Sequence, residues 1–295
     1  MTKSAVISVC GRPNVGKSTL INSLVGEKIS IVSDKPQTTR NRITAVIEYG
    51  DTQFVMMDTP GFHKPKNKLG QYMLNVVNNT AFDSDCIVLV VEPTEKIDAG
   101  EEELIRKIRT AGLPCILAVN KIDTVEKKDL LAVIARYNTL YPFEATIPIS
   151  AKTGDGLKIL LEEMDRFASE SPHLFPEDMI TDQPEKQICA EIIREKLLQC
   201  LEKEIPHGIA VEISRFKERD DGMIDLEAII YCEKASHKGI IIGKNGSMLK
   251  KAGSLARADI ERFLDCKVNL QTWVKVKENW RDSDILLSNF GFTED

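Results

Sequence analysis

The hydrophobic pattern of the chain changes near residue 170. Before that point, short apolar runs alternate with stretches whose apolar residues recur at helical spacing. The runs lie at residues 5–10, 43–49, 54–57, 87–91 and 116–119, with a shorter one at 147–149. Between them, Leu20, Ile21 and Leu24 share a helical face, and helical patterns cover 100–111 and 127–137. Short buried strands separated by helices predict an α/β domain with a mostly parallel sheet covered on both faces.

Residues 171–184 contain Pro172, Pro176 and Pro184 and read as a linker. A helix then follows on Ile188, Ile192, Ile193, Leu197 and Leu201. Two alternating strands come next, on Ile209, Val211 and Ile213 and then on Ile224, Leu226, Ala228, Ile230 and Cys232. A short helix ends at Gly243, and a longer one carries Leu249, Ala252, Ala256, Ile260, Phe263 and Leu264. The last strand alternates at Val268, Leu270, Val274 and Val276. The order α-β-β-α-α-β predicts a smaller α+β domain. The expected boundaries are 1–170, a linker at 171–184, a second domain at 185–280 and a tail at 281–295.

Composition narrows the class. The 295 residues carry 39 Lys and Arg against 45 Asp and Glu, a net charge of −6, with 42% hydrophobic and 28% charged residues. These are ordinary values for a globular protein and argue against a disordered or fibrous chain. No apolar run approaches the ~20 residues that span a bilayer, and the first residues show no signal-peptide architecture. Seven scattered cysteines without a CxxC pair read as reduced core residues of a cytosolic protein.

The candidate chemistry starts at Gly11-Arg12-Pro13-Asn14-Val15-Gly16-Lys17-Ser18, a match to G-x-x-x-x-G-K-[ST] between a predicted strand and a predicted helix. Such a loop turns backbone N–H groups toward phosphate oxygens at a helix N-terminus. Lys17 is expected to reach the β- and γ-phosphates and Ser18 to coordinate Mg²⁺. Asn120-Lys121-Ile122-Asp123 follows the run 116–119, at a strand's C-terminal end. Asp123 can accept from guanine N1–H and the exocyclic amino group, whereas adenine would leave it unpaired. Asn120 would contact the base and brace the phosphate loop, and the Lys121 stem would lie over the ring. Asp58-Thr59-Pro60-Gly61 supplies a third element. Asp58 is expected to hold Mg²⁺ through water and the Gly61 N–H to meet the γ-phosphate. Ser150-Ala151-Lys152 has the place of a loop whose backbone touches guanine. In Gln37-Thr38-Thr39-Arg40, a hydroxyl, Thr39 in preference to Thr38, is expected on Mg²⁺ when a γ-phosphate is present.

These motifs, in this order and spacing, resemble the Era-like branch of the translation-factor-related GTPases over the first ~170 residues. The resemblance implies a P-loop G domain that hydrolyses GTP to GDP and phosphate, with Lys17, Thr39 and Gly61 as its catalytic groups. One departure concerns Phe62, which stands where Ras-type proteins carry a water-orienting glutamine. A phenyl ring cannot hydrogen-bond a water, so slow turnover is expected, or a backbone group, a neighbour or a cation acts instead. The resemblance offers Asn14 as a K⁺ ligand; shaping the loop is its other reading. His63 invites a general-base role but sits beside Lys64 and Pro65, as an exposed loop histidine would.

In the second domain Gly243-Lys244-Asn245-Gly246 is a G-x-x-G between two helices. In a KH module this loop lets the chain approach a single-stranded nucleic-acid backbone, and the element order is that of the type II KH fold. Residues 234–258 hold six Lys and Arg, Lys238, Lys244, Lys250, Lys251 and Arg257 among them, and no Asp or Glu. That is a local charge of +6 in an acidic chain, suited to phosphates. A G domain followed by one KH domain resembles the Era-like members that pair the two. The resemblance implies binding of 16S ribosomal RNA near its 3′ end and a role in maturing the 30S subunit. It further implies a cytoplasmic monomer without DNA partners, loosely associated with the inner face of the membrane. Two rivals stand beside it. One is a constitutive RNA-binding module with a structural guanine nucleotide; the other is an ATP-dependent phosphotransferase, which the Asp123 argument opposes.

Overall fold

The computed structural model describes the chain except for residues 34, 36–37, 63–64, 66, 81–82, 95, 203–204 and 293–295, and except for the side chains of 78–80. Gln37 and His63 thus lie outside the described residues. The chain divides into two compact units. One comprises Met1–Ser30, Pro36–Pro65 and Met73–Asp182; the other comprises Ile31–Lys35, Lys66–Tyr72 and Gln183–Asp295.

The N-terminal half runs β1 (Lys3–Cys10), α1 (Lys17–Val25), β2 (Ile43–Tyr49), β3 (Thr52–Asp58), α2 (Lys68–Thr80), β4 (Cys86–Val91) and α3 (Ala99–Ala111). It continues with β5 (Cys115–Val119), α4 (Lys127–Asn138), β6 (Ala145–Pro148), α5 (Leu157–Asp165) and the two-residue β7 (Ser169–Glu170). Among the described residues the sheet order is β2-β3-β1-β4-β5-β6, with β7 pairing antiparallel to β1. β2 lies antiparallel to β3, and the other neighbours in that order are parallel.

β4 shows why the apolar runs are unbroken. Cys86, Val88 and Val90 enter the core on one face, and Ile87, Leu89 and Val91 enter the core on the other. β5 divides in the same way, Ile116 and Ala118 against Cys115, Leu117 and Val119. A strand buried on both faces has no polar alternation to show. The proline-bearing segment after β7 is tied to the sheet. The amides of Leu174 and Phe175 donate to the buried Gln53 Oε1 at 2.8 and 2.9 Å, and Val46 N–H donates to the Ile180 carbonyl at 2.9 Å.

The second half runs α6 (Glu185–Cys200), β8 (Ala210–Glu218), β9 (Ile224–Cys232), α7 (Ala235–Ile242), α8 (Ser247–Phe263), β10 (Val268–Val276) and α9 (Asp284–Asn289). Its sheet has the order β10-β9-β8, with β10 parallel and β8 antiparallel to β9. β9 alternates: Ile224, Leu226, Ala228, Ile230 and Cys232 enter the core, while Asp225 and Glu227 are half-buried. Helices α6, α7 and α8 pack on the face that carries these core residues, so period two survives in the sequence. α6 buries three consecutive charged residues, and each is paired. Arg194 meets Glu191 at 2.5 Å, Lys196 meets Asp259 of α8 at 2.6 Å, and Glu195 accepts from Lys196 at 2.9 Å. Trp280 is fully buried and donates from Nε1 to the Gly208 carbonyl at 2.9 Å, with Phe290 and Phe292 against its ring. The tail aromatics therefore pack.

Candidate functional site

The phosphate loop connects β1 to α1, at the C-terminal end of a central strand, as ligand sites of open α/β sheets do. Its glycines answer to close approach. Gly16 has φ +101°, and a Cβ there would lie 2.2 Å from Asn120 Nδ2. Asn120 is nearly fully buried and joins two loops: it donates to the Val15 carbonyl at 2.8 Å and accepts from the Ala151 amide at 2.9 Å. Lys17 is buried and donates from Nζ to the carbonyls of Gly11 and Arg12, both at 3.0 Å. Burial pushes its pKa down and Asp58 draws it back up. Beneath the loop, burial pushes the Cys10 thiol up to about 11, so this residue packs and does not act as a nucleophile.

Three residues far apart in sequence meet beside Lys17. Ser18 Oγ lies 2.8 Å from Asp58 Oδ2, to which it donates, and 3.0 Å from Thr39 Oγ1. Ser30, which no motif marks, donates to the same Asp58 oxygen at 2.9 Å. Burial raises the Asp58 pKa, opposed by Lys17 and then by the hydroxyls of Ser18, Ser30 and Thr39. Asp58 Oδ1 is buried without a hydrogen-bond partner. A buried carboxylate oxygen left open beside two hydroxyls fits a hard divalent cation that keeps part of its water shell. Mg²⁺ fits this donor set, and Ser18, Thr39 and Asp58 are the residues that would hold it.

Thr59 donates from Oγ1 to the Val9 carbonyl at 2.9 Å and fixes the turn through Pro60 onto β1. Gly61 follows against Pro13, whose backbone nitrogen would be 2.7 Å from an added Cβ. Phe62 turns away from the phosphate loop. Its ring is buried in the core that holds Val77 and Leu104, under Lys107 Nζ at 4.7 Å, and its amide donates to the Gly11 carbonyl at 3.2 Å. The ring is thus a packing group at a position where a water-orienting side chain would have to face the phosphates.

Arg12 is engaged elsewhere too. It pairs with Asp98 at 2.6 Å and with the buried Glu101 at 3.4 Å, so the loop is held to the first turn of α3. Asp98 also caps α3, accepting from the Glu101 amide at 2.9 Å. Asn14 has φ +68°, a conformation asparagine tolerates, and its carbonyl accepts from Lys121 Nζ at 2.7 Å. Lys121 also meets Glu92 at the end of β4. Asp123 is exposed, and its Oδ1 accepts from Ser150 Oγ at 2.8 Å. Lys152 is exposed. The residues expected to read phosphate, metal and base therefore lie on loops joined directly by Asn120, Lys121 and Ser150.

The second unit has its own groove. Gly243 has φ +73°, and a Cβ there would lie 2.7 Å from Met248 Cβ and 2.8 Å from its backbone nitrogen. The loop then turns through Lys244 and Asn245, both exposed, to Gly246. A groove of about 320 Å³ opens between α8 and β10, an edge strand of the sheet. Gly246, Leu249, Lys250 and Arg257 form its helix side, and Leu270 and Thr272 its strand side. Of the expected contacts, Gly246, Lys250 and Arg257 line this groove, while Lys238, Lys244 and Lys251 are exposed outside its lining.

Comparison with known proteins agrees with both halves. The family model described as "50S ribosome-binding GTPase" matches residues 6–121, and that of the KH domain matches residues 204–281. GTPase Era of Ruminiclostridium cellulolyticum is 52% identical over 290 residues, covering 98% of this chain and 97% of the relative. GTPase Era of Clostridioides difficile is 50% identical over 296 residues, covering all of both chains. A solved structure of Era with MgGDPNP and nucleotides 1506–1542 of 16S ribosomal RNA superposes with a TM-score of 0.96 at 36% identity, over 100% of each chain. A point variant of Aquifex aeolicus Era bound to GDP·AlF4⁻ gives a TM-score of 0.95 at 36% identity, over 99% of this chain and 100% of that one. The chain belongs to the Era family of GTPases.

Proposed function

We propose that the protein is a GTP-hydrolysing switch that binds the 3′ region of 16S ribosomal RNA through its KH groove and acts in maturation of the 30S subunit. The observation that carries the enzymatic half is the meeting of Ser18, Thr39 and Asp58 within 3.0 Å at the start of α1. The phosphate-loop amides and Lys17 hold the β- and γ-phosphates, and Gly61 N–H binds the γ-phosphate. Mg²⁺, when bound, neutralises charge that develops on the phosphate oxygens. Thr39 and Gly61 hold the loops that sense the γ-phosphate, and release them when it leaves.

One observation supports coupling to RNA. The related Era carrying GDPNP also carries a 16S fragment. We read residues 1–170 as the G domain, 185–280 as the KH domain and the groove basics as phosphate contacts. GDP·AlF4⁻ on a relative favours turnover over a merely structural nucleotide. Among the described residues no helix is long and apolar enough to cross a membrane, and the reading places the protein in the cytoplasm, with any membrane association peripheral. Asn14 remains the K⁺ candidate, and GTP turnover is expected to be faster in K⁺ than in Na⁺.

Asp123→Asn tests the nucleotide assignment. A carboxamide opposite the base matches xanthine, so GTP affinity should fall by about 100-fold or more while xanthosine triphosphate gains. A variant that still prefers GTP would overturn it.

A further inference from the structure

We propose that Gly253 is the point at which an unpaired RNA base rests against the backbone of α8, so that the missing side chain decides which strands the groove admits. This rests on the groove being the RNA site.

Gly253 lies in the middle of α8, three residues after Lys250 and four before Arg257. Residues at these spacings share one helix face, and all three line the groove opposite Leu270 and Thr272. A glycine inside a helix destabilises it relative to alanine. Neither of the fold's usual reasons for glycine applies at this position. Its φ is not positive. Nor is it crowded: apart from its chain neighbours and the adjacent backbone of α8 itself, a Cβ built on Gly253 would meet nothing within 4 Å. Gly243, which is both, shows the contrast, and the neighbouring Ala252 and Ala256 fill the core side of the same helix. The space that the glycine leaves belongs to the groove, and the partner that needs it is a ligand.

The flanking chemistry identifies that ligand. Lys250 and Arg257 stand about 10 Å apart along the helix axis, with room for one splayed nucleotide between two phosphate contacts. The segment 234–258 has no carboxylate to repel a polyanion. A base is flat and can lie directly on peptide backbone, where a methyl group would hold it off. Unpaired RNA presents such a base; a duplex does not.

The experiment uses the full chain with a non-hydrolysable GTP analogue and a labelled RNA of the 1506–1542 sequence named for the related complex. Gly253→Ala and Gly253→Leu are compared with the parent for RNA affinity, guanine-nucleotide affinity and thermal unfolding. Alanine should leave the melting temperature unchanged or raised, yet weaken RNA binding at least about fivefold, the scale of a lost base contact. Leucine should weaken it further, and nucleotide affinity should stay level for both. RNA binding within twofold of the parent in both variants would overturn the inference. So would a lowered melting temperature in the alanine variant, because the fold would then be using that space. Lys250→Ala with Arg257→Ala separates the two levels. If that double variant binds RNA weakly while both glycine variants bind normally, only the role of Gly253 fails; if it binds RNA as the parent does, the groove assignment fails as well.

Discussion

The two sites of the molecule are assembled in opposite ways. Around the phosphate loop, side chains from β3, the segment after α1 and the end of β5 are already fastened to one another. Asn120 holds Val15 and Ala151, Asp58 holds Ser18 and Ser30, and Lys121 holds Asn14. The sheet beneath is buried on both faces, so these groups stand on a rigid base. The KH groove is instead an open trough between one helix and one edge strand of a three-stranded sheet, with its cations exposed. A charged, chemically fixed ligand rewards preorganised polar groups, each placed once. A flexible polyanion rewards shape and a diffuse field. Single changes should therefore act steeply in the first site and gradually in the second.

The steepest expected effect is at Lys17. Lys17→Ala removes the buried ammonium that holds the β- and γ-phosphates, and GTP turnover should fall by about 1000-fold or more. RNA affinity measured without nucleotide should stay within about twofold. Loss of both together would break the separation of the two sites. Next is Gly243→Ala, which forces a side chain into Met248 at a positive φ. RNA affinity should drop by about tenfold, while GTP turnover in the absence of RNA keeps the parent rate. Single replacement of Lys250 or Arg257 by alanine should weaken RNA binding by only a few-fold, and should lower the salt dependence of binding by about one phosphate contact each. The smallest effect is at Ser30→Ala. It removes one of the hydroxyls on Asp58, and the Mg²⁺ concentration needed for half-maximal turnover should shift by a few-fold. A salt slope that does not change in the Lys250 and Arg257 variants would mean that the groove does not meet phosphates.

The same contrast governs what was legible in the sequence. The nucleotide site is made of contiguous stretches at strand ends, so spacing alone marked Lys17, Asp58, Asn120 and Asp123. Thr39 required a choice between adjacent hydroxyls, and its 3.0 Å distance to Ser18 is a tertiary fact. Ser30 had no signal at all, because a serine in a loop is recruited by geometry that appears only once β3 is in place. Arg12 reads as part of a phosphate motif, yet its guanidinium is committed to Asp98 and Glu101 some 90 residues on. Phe62 could be recognised as unable to orient a water, but its burial in the core that also holds Leu104 could not be foreseen. Nor could the anchoring of the proline segment, since it uses the side chain of a buried glutamine, Gln53, inside a strand and backbone bonds such as Val46 to Ile180 that exist only once the sheet has formed. In the KH unit the alternation of β9 and the G-x-x-G turn were readable. The groove was only outlined, because its walls come from α8 and β10, which the chain joins only through another turn.

The measurement that reaches furthest into this account is the affinity of the full chain for the 1506–1542 RNA in two nucleotide states, with GDP and with a non-hydrolysable GTP analogue at saturating Mg²⁺. A GTP-controlled switch predicts tighter binding with the analogue, by about fivefold or more, the usual scale of coupling between two sites. Equal affinities would contradict it and leave an RNA-binding protein whose nucleotide serves only the fold.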